Sequence, residues 1–503
     1  MSTSSSSISL SLFESCKTLL SQSLKTKFFF KPQQIEIIEK PKDFYDSLKQ
    51  GISNAKERIF FASLYLGKNE QELIQCVSHA LQKNKNLKVY FMVDGLRGTR
   101  ETPLPCSASL LATLVRDHDD RVDIRCYKTP RIFGLKESLI PKRFNEGLGL
   151  QHMKIYGFDD QVILSGANLS ADYFTNRQDR YYCFRSKSFA DYYFKLHQLI
   201  SKLSFRALYS ENNAKYQLVW PDDNLAVNPQ RNRQRFLSQA STVLKTFLEK
   251  DHTKDSLDED TSSYPTVVYP VSQFTPLFNT FETLPHRYQD SKHDYSTEKP
   301  TILRLLDHIG GLQKTCINWT FTAGYFNMLP EIKQRLLMNS VQGKHTCGKV
   351  ITASAHANGF FESKGISKYL PEAYMHLAYK FLREVARNGS QIDLYEWKKG
   401  IVTRPDGWSY HAKGIWIGEG SNQPPTVTIV GSSNYTKRAY KLDLESNCII
   451  NTRDPLLQEK MQRELENIMA NSEKLSLQTF KDDPSKQVSN GVKLATRLLG
   501  DKL

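Results

Sequence analysis

The chain carries one constellation twice. His152 and Lys154 stand two residues apart in the tripeptide HMK, and His411 and Lys413 do the same in HAK. Each pair is followed by a small-residue turn ending in asparagine, SGAN at Ser165–Asn168 and GSSN at Gly431–Asn434. Eleven residues after each asparagine comes an acid, Asp179 in the first copy and Glu445 in the second. Four residue types repeated in fixed order call for two copies of one unit and a single site assembled from both.

The surrounding sequence repeats the same rhythm. In the first half, strand patterns fall at residues 59–67, 87–94, 122–127 and 181–184. Helical periods at 72–83 and 109–115 separate them, and a further helix ends near residue 200. In the second half, 316–326, 349–354 and 391–397 answer the first three strands, and 329–338 and 374–386 answer the helices. The repeat therefore covers whole domains, and the expected fold is α/β.

Residues 250–300 lie between the copies. They start acidic (Asp251, Asp255, Asp258, Glu259, Asp260) and continue with Pro265, Pro270, Pro276, Pro285 and Pro300, the composition of a linker or surface insertion. Within them YPVSQFTPLF is apolar enough to pack at an interface or line a lipid-facing groove. The expected division is a first domain over 31–249, a linker over 250–300 and a second domain over 301–503. Residues 1–30 stand apart. Serines, lysines at 17, 25 and 27 and a loose apolar face of Leu10, Leu12, Phe13, Leu19 and Leu20 predict a mitochondrial targeting segment, with a disordered tail as the plainer alternative.

Composition narrows the partners. A formal charge of +15 implies nucleic acid, an acidic membrane surface or a phosphorylated metabolite, without choosing among them. The eight cysteines form no CxxC pair, so neither a zinc knuckle nor a dithiol redox motif is indicated. No run of about 18 apolar residues is present, so any membrane contact is expected to be peripheral.

The repeated residues suit phosphate chemistry. Residues two apart in a strand share a face, so each histidine lies beside its lysine. Lys154 and Lys413 bring charge to phosphate oxygens, and Asn168 and Asn434 bring amides. One histidine can attack phosphorus while the other protonates the leaving group and then deprotonates the acceptor. One imidazole cannot do both at once, which gives a physical reason for two copies. Asp179 and Glu445 are candidates to fix the histidine tautomers, and either acid could serve either histidine. No HExxH motif occurs, and each histidine's partner is a lysine, so no metal and no cofactor is expected. Further cations are available for substrate phosphates: Arg97 and Arg100 in GLRGTR, and Arg177, Arg180, Lys437 and Arg438 beside the asparagine turns. A basic stretch (Lys128, Arg131, Lys136, Lys142, Arg143) could meet anionic headgroups or simply face solvent.

These residues resemble the phospholipase D superfamily, whose motif reads HxKxxxxD followed by GSxN. The first copy matches through His152, Lys154 and Asp159, with SGAN in place of GSxN. In the second, Gly418 stands where the motif aspartate falls and Glu419 comes one position late, while GSSN matches fully. Within the superfamily, FASLYLG, VDGLRGTRE, HMKIYGFDDQVILSGANLS, YFTNRQDRY and SYHAKGIW…GSSNYTKRAYKLDLESN are similar to the eukaryotic mitochondrial CDP-diacylglycerol–glycerol-3-phosphate 3-phosphatidyltransferases.

The resemblance implies two phospholipase-D-like α/β/α sandwich domains in a pseudo-two-fold arrangement with the active site between them. It implies CDP-diacylglycerol and glycerol 3-phosphate as substrates, and phosphatidylglycerophosphate and CMP as products. His152 is expected as the nucleophile forming a phosphohistidine, and His411 as acid/base, with Lys154, Asp159 and Lys413 in the catalytic set. It further implies an enzyme peripheral on the mitochondrial inner membrane, on the matrix side, with an anionic membrane surface and no nucleic acid as partner. The alternatives are another acceptor, serine or phosphatidylglycerol, or a nuclease or DNA-repair phosphodiesterase on the same fold.

Overall fold

The computed structural model describes residues 10–134, 139–253, 263–278, 294–312, 315–420 and 423–500. Twenty strands among them, numbered in chain order, form two nine-stranded sheets and one short ribbon. The first sheet runs, edge to edge, β11 (Tyr216–Val219), β10 (Phe205–Tyr209), β5 (Val122–Tyr127), β4 (Lys88–Asp94), β3 (Arg58–Ser63), β6 (Ile155–Phe158), β7 (Gln161–Ser165), β9 (Tyr181–Arg185) and β2 (Ile35–Ile38). The second runs β20 (Ser472–Leu475), β15 (Ile392–Trp397), β14 (Thr346–Ala353), β13 (Ile317–Ala323), β17 (Lys413–Glu419), β18 (Pro425–Gly431), β19 (Glu445–Thr452), β12 (Thr266–Gln273) and β1 (Phe28–Phe30).

The two orders correspond. A parallel trio, β3–β4–β5, is matched by β13–β14–β15. An antiparallel run from β3 through β6, β7 and β9 to β2 is matched by β13 through β17, β18 and β19 to β12. The strands anticipated from sequence therefore fall in equivalent places, and the central ones are apolar on both faces as covered parallel strands require. In β3, Ile59 and Phe61 pack toward the helices Gln71–Lys83 and Ser107–His118, whereas Phe60 and Ala62 join the layer containing the helix Lys187–Ser201. That second layer also holds Val268, Val430, Leu444, Cys448 and Ile450, so the inner faces of the two sheets share one core.

Two expectations are corrected here. From Leu12 onward the predicted targeting segment belongs to the fold. The helix Leu12–Ser23 buries Leu12, Phe13, Cys16 and Leu20 in the core of the second sheet, and β1 pairs with β12. Its start is held by Ser11 at the cap and by Glu419, whose carboxylate accepts the Leu12 N–H at 3.0 Å. Of the apolar face that suggested an address, Leu12, Phe13 and Leu20 pack inward while Leu10 stays exposed; residues 1–9 lie outside the described residues.

The predicted linker contains β12, whose eight residues are all buried and pair with β19 along their whole length. Pro270 is tolerated because the β1 pairing stops opposite Val268, leaving no strand among the described residues on that side to need its missing N–H. Asp255, Asp258, Glu259, Asp260 and Pro285 of that segment, and Lys136 of the basic stretch, lie outside the described residues. Among the described residues no helix is long and apolar enough to cross a membrane.

Candidate active site

Backbone pairing between the halves builds the site. Before β6, the chain at Gln151 makes a parallel bridge with Leu444: the His152 N–H donates to the Leu444 carbonyl at 2.9 Å, and the Leu444 N–H donates to that of Leu150 at 2.8 Å. Before β17 the same device recurs with the halves exchanged. There β16 (Ser409–Tyr410) pairs in parallel with β8 (Arg177–Gln178), and the His411 N–H donates to the Gln178 carbonyl at 2.8 Å. Each ribbon sets a histidine from one half beside the residue preceding the other half's acid.

The side chains follow. His152 Nδ1 lies 2.8 Å from Glu445 Oε1, and His411 Nδ1 lies 2.6 Å from Asp179 Oδ2. The order open in the sequence is thereby fixed: each acid serves the histidine of the opposite half. A carboxylate on Nδ1 keeps the proton there and leaves Nε2 as the free lone pair. The acids are themselves anchored, Glu445 by the Ser432 hydroxyl of the GSSN turn at 2.5 Å and Asp179 by the Arg180 N–H at 2.9 Å.

Lys154 and Lys413 converge on both histidines. The Lys154 ammonium donates to the His152 carbonyl at 2.7 Å, and Lys413 Nζ lies 3.4 Å from His411 Nε2. Burial, reinforced by these charges, holds both imidazoles well below their ordinary range, so they are neutral at neutral pH. Burial pushes the Asp179 carboxyl up to about 6 and that of Glu445 up to about 7. It also lowers both lysines, Lys154 strongly, with Lys413 adding repulsion. An anionic phosphate entering here meets donors already stripped of water, where charge counts most.

The asparagines differ. Asn168 is committed internally: its Oδ1 accepts the Leu64 N–H at 3.3 Å and its Nδ2 donates to the Tyr173 hydroxyl at 3.0 Å. Asn434 keeps a buried amide oxygen without a partner among the described residues, capacity that a ligand can take up. The Tyr173 hydroxyl lies 3.4 Å from His411 Nε2, and the Tyr173 and Tyr325 rings both meet His411 edge-on.

Two predicted site residues belong elsewhere. Asp159 lies at the far end of β6, in the turn before β7. There its carboxylate collects the backbone N–H groups of Lys56, Glu57 and Arg58 at 2.8–3.0 Å. It is a structural cap that stays away from the histidines. Its counterpart Gly418 lies in β17, and the adjacent Glu419 caps the helix Leu12–Ser23 instead.

Arg180 is buried with its guanidinium fully engaged. It forms a fork with Glu464 at 2.8 and 3.0 Å, donates to the Ile429 carbonyl at 2.7 Å and to Thr428 Oγ1 at 2.8 Å, and lies over the Trp416 ring. No donor remains for a substrate. The glycine after HAK follows from this: at Gly414 (φ +153°) a side chain would overlap the guanidinium.

The other arginines border the site. Arg438 donates to the Glu146 carbonyl at 2.9 Å, and its charge reaches His152 and Glu445. Arg100 pairs with Glu146 at 3.0 Å and Arg97 with Glu101 at 3.2 Å. Arg97 also covers the Tyr65 ring on the wall of a cavity of about 300 Å³ lined by Lys68, Glu70, Ser170 and Asp172. Arg177 bonds Ser409 at 2.8 Å, and its charge acts on His411.

Sequence reasoning missed Asp94 and Asp443. Asp94 accepts the N–H groups of Leu96, Arg97 and Gln151, tying the GLRGTR loop to the residue before His152. Asp443 accepts the Leu150 N–H at 3.0 Å. The only signal was position, one at the end of a strand and one two residues before Glu445. Among the described residues no cluster of histidine, cysteine and acid side chains could hold a metal.

Comparison with known proteins places the chain. Residues 335–469 match the cardiolipin synthase, PLD-like domain family. The phosphatidylserine synthase of Haemophilus influenzae shares the fold, with a TM-score of 0.68 over 97% of this chain and 98% of that one at 18% identity. The CDP-diacylglycerol–glycerol-3-phosphate 3-phosphatidyltransferase of Saccharomyces cerevisiae is 52% identical over 96% of this chain and 91% of its own length. That of Saccharomyces pastorianus is 52% identical over 100% of this chain and 94% of its own. The human mitochondrial enzyme of the same name is 31% identical over 95% of this chain and 84% of its own. With its crossed histidine–acid pairs and these relatives, the chain belongs to the CDP-diacylglycerol–glycerol-3-phosphate 3-phosphatidyltransferase family.

Proposed function

We propose that the chain transfers the phosphatidyl group of CDP-diacylglycerol to glycerol 3-phosphate, releasing CMP and forming phosphatidylglycerophosphate. The observation that carries the mechanism is the pair of crossed contacts, His152 with Glu445 and His411 with Asp179. Neutral His152 attacks the phosphatidyl phosphorus through Nε2; an N–P bond forms and the P–O bond to CMP breaks. Glu445 stabilises the imidazolium as it develops. CMP departs as an anion, its charge met by Lys154 and Lys413; neutral His411, its Nε2 unprotonated, then takes the proton of the primary hydroxyl of glycerol 3-phosphate, whose oxygen attacks phosphorus and releases His152. Lys154 and Lys413 hold the non-bridging oxygens as charge accumulates on them.

The two sheets are read as phospholipase-D-like domains related by an approximate two-fold axis with the site on it, which their matching strand orders support. Arg438 is the border cation best placed for a substrate phosphate, its charge reaching both His152 and Glu445. The human and mouse relatives are named as mitochondrial, which supports the same compartment here, with peripheral attachment on the matrix face of the inner membrane. The test is transfer from CDP-diacylglycerol in mixed micelles with glycerol 3-phosphate, serine or buffer as acceptor. CMP release dependent on glycerol 3-phosphate is expected. Release with serine alone would move the acceptor, and no release alongside oligonucleotide cleavage would move the substrate class.

A further inference from the structure

The helix Asn490–Leu499 lies on the molecule inside out. Val492 and Thr496, one turn apart, are buried, whereas Leu494 and Leu498 on the opposite side are 59% and 72% exposed. A surface helix of a soluble protein ordinarily does the reverse. Lys493 and Arg497, both exposed, flank the outward leucines.

A second element repeats the pattern nearby. In the turn Gly365–Tyr369, Ile366 is 72% and Tyr369 48% exposed, beside the exposed Lys364 and Lys368. This turn runs straight into the helix Leu370–Asn388, and at its first turn Glu372 accepts the Ser489 N–H just ahead of the inverted helix. The acids close by are engaged, Glu372 in that bond and Glu362 with Arg404 at 3.2 Å. The inverted helix is also tied to the catalytic end: Asn327 Nδ2 donates to the Gly500 carbonyl at 2.6 Å, two residues from Tyr325, whose ring meets His411.

We propose that Leu494, Leu498, Ile366 and Tyr369, with Lys364, Lys368, Lys493 and Arg497, form the surface that docks this enzyme on an anionic bilayer, with the His411 side of the site turned toward the lipid. The inference rests on the lipid-substrate reading and deepens it. Apolar tips standing outward beside flexible cations match a bilayer, where leucine enters the acyl layer and the lysines reach back to the headgroups. Each cation contributes about 1 kcal/mol near an anionic surface, a factor of about five in binding.

The test is flotation of the full-length chain with phosphatidylcholine vesicles, with and without phosphatidylglycerol. The wild type floats with the anionic vesicles and is released by salt. Leu494→Glu with Leu498→Glu weakens that binding about tenfold or more. Should that double variant fold poorly, Leu494→Trp gives a second readout: it adds to the fluorescence of the five native tryptophans a component that spin-labelled lipid quenches, measured against the wild type under the same quencher. Unchanged flotation of the double variant, or no quenching of the tryptophan, overturns the proposal. So does unchanged flotation with a shift from dimer to monomer, which would give this face to a second copy. Flotation is read without turnover, so a chain that floats but makes no product fails the reaction reading and not this one.

Discussion

His152 and Glu445 are 293 residues apart in the chain and 2.8 Å apart at the site. The reciprocal contact between His411 and Asp179 makes each histidine dependent on the other half of the molecule. Replacing Glu445 with glutamine keeps the shape but offers an amide that can misorient the imidazole. Transfer is expected to fall about a hundredfold or more, measured as CMP release at saturating substrate.

The proposed roles divide the chemistry unequally between the histidines. With His411→Ala the second step loses its base, so labelled phosphatidyl group accumulates on the chain, acid-labile and base-stable as a phosphoramidate is. With His152→Ala no label is retained. Both variants lose about two to four orders of magnitude in turnover. Label retained on the His152→Ala chain would reverse the assignment.

The acid limb of the pH profile belongs to the carboxyls. Burial holds the imidazoles well below their ordinary range, whereas it raises Asp179 to about 6 and Glu445 to about 7. As pH falls through 7 and then 6, the carboxyls take up protons and cease to be anionic partners for Nδ1–H. Activity is therefore expected to fall across that window, with apparent values belonging to the coupled pairs. In Glu445→Gln the upper step disappears and only the lower one remains.

Arg180 and Glu464 hold the halves together from within the core. Glu464→Ala strands a buried guanidinium and is expected to cost about 3–5 kcal/mol. Arg180→Met combined with Glu464→Leu removes both charges and costs less. Thermal unfolding of the two variants checks the order.

Asp159 gives the contrasting case. Asp159→Ala removes an acceptor for three backbone N–H groups and is expected to lower stability by about 0.5–2 kcal/mol, as the loss of a helix cap does. The kcat of the folded fraction stays at the wild-type value. A catalytic role would instead show as lost turnover at unchanged stability.

The strands and the four-residue repeat were legible because both are local patterns. Strand β5 coincides with the predicted 122–127, and the histidines, lysines and acids meet as one site. The failures share a cause. Arg180 reads as a phosphate ligand because it lies close in sequence to the asparagine turn, but its partner Glu464 comes from a distant helix that no spacing reveals. β12 hides between acids and prolines because its partner strand lies far along the chain. Asp159 fits the motif, and only its distance from the histidines separates a cap from a catalyst.

The crossed ribbons set a timetable. Leu444 and Glu445 are the last of the pairing residues to leave the ribosome, and until they dock on Leu150 and His152 the first histidine has neither its backbone neighbour nor its acid. If His152 is the nucleophile, as proposed, a nascent or unfolded chain therefore carries no competent one. On the proposed mechanism, reactivity toward the pyrophosphate of CDP-diacylglycerol is switched on by the completion of folding itself, after both halves have been delivered to the same place.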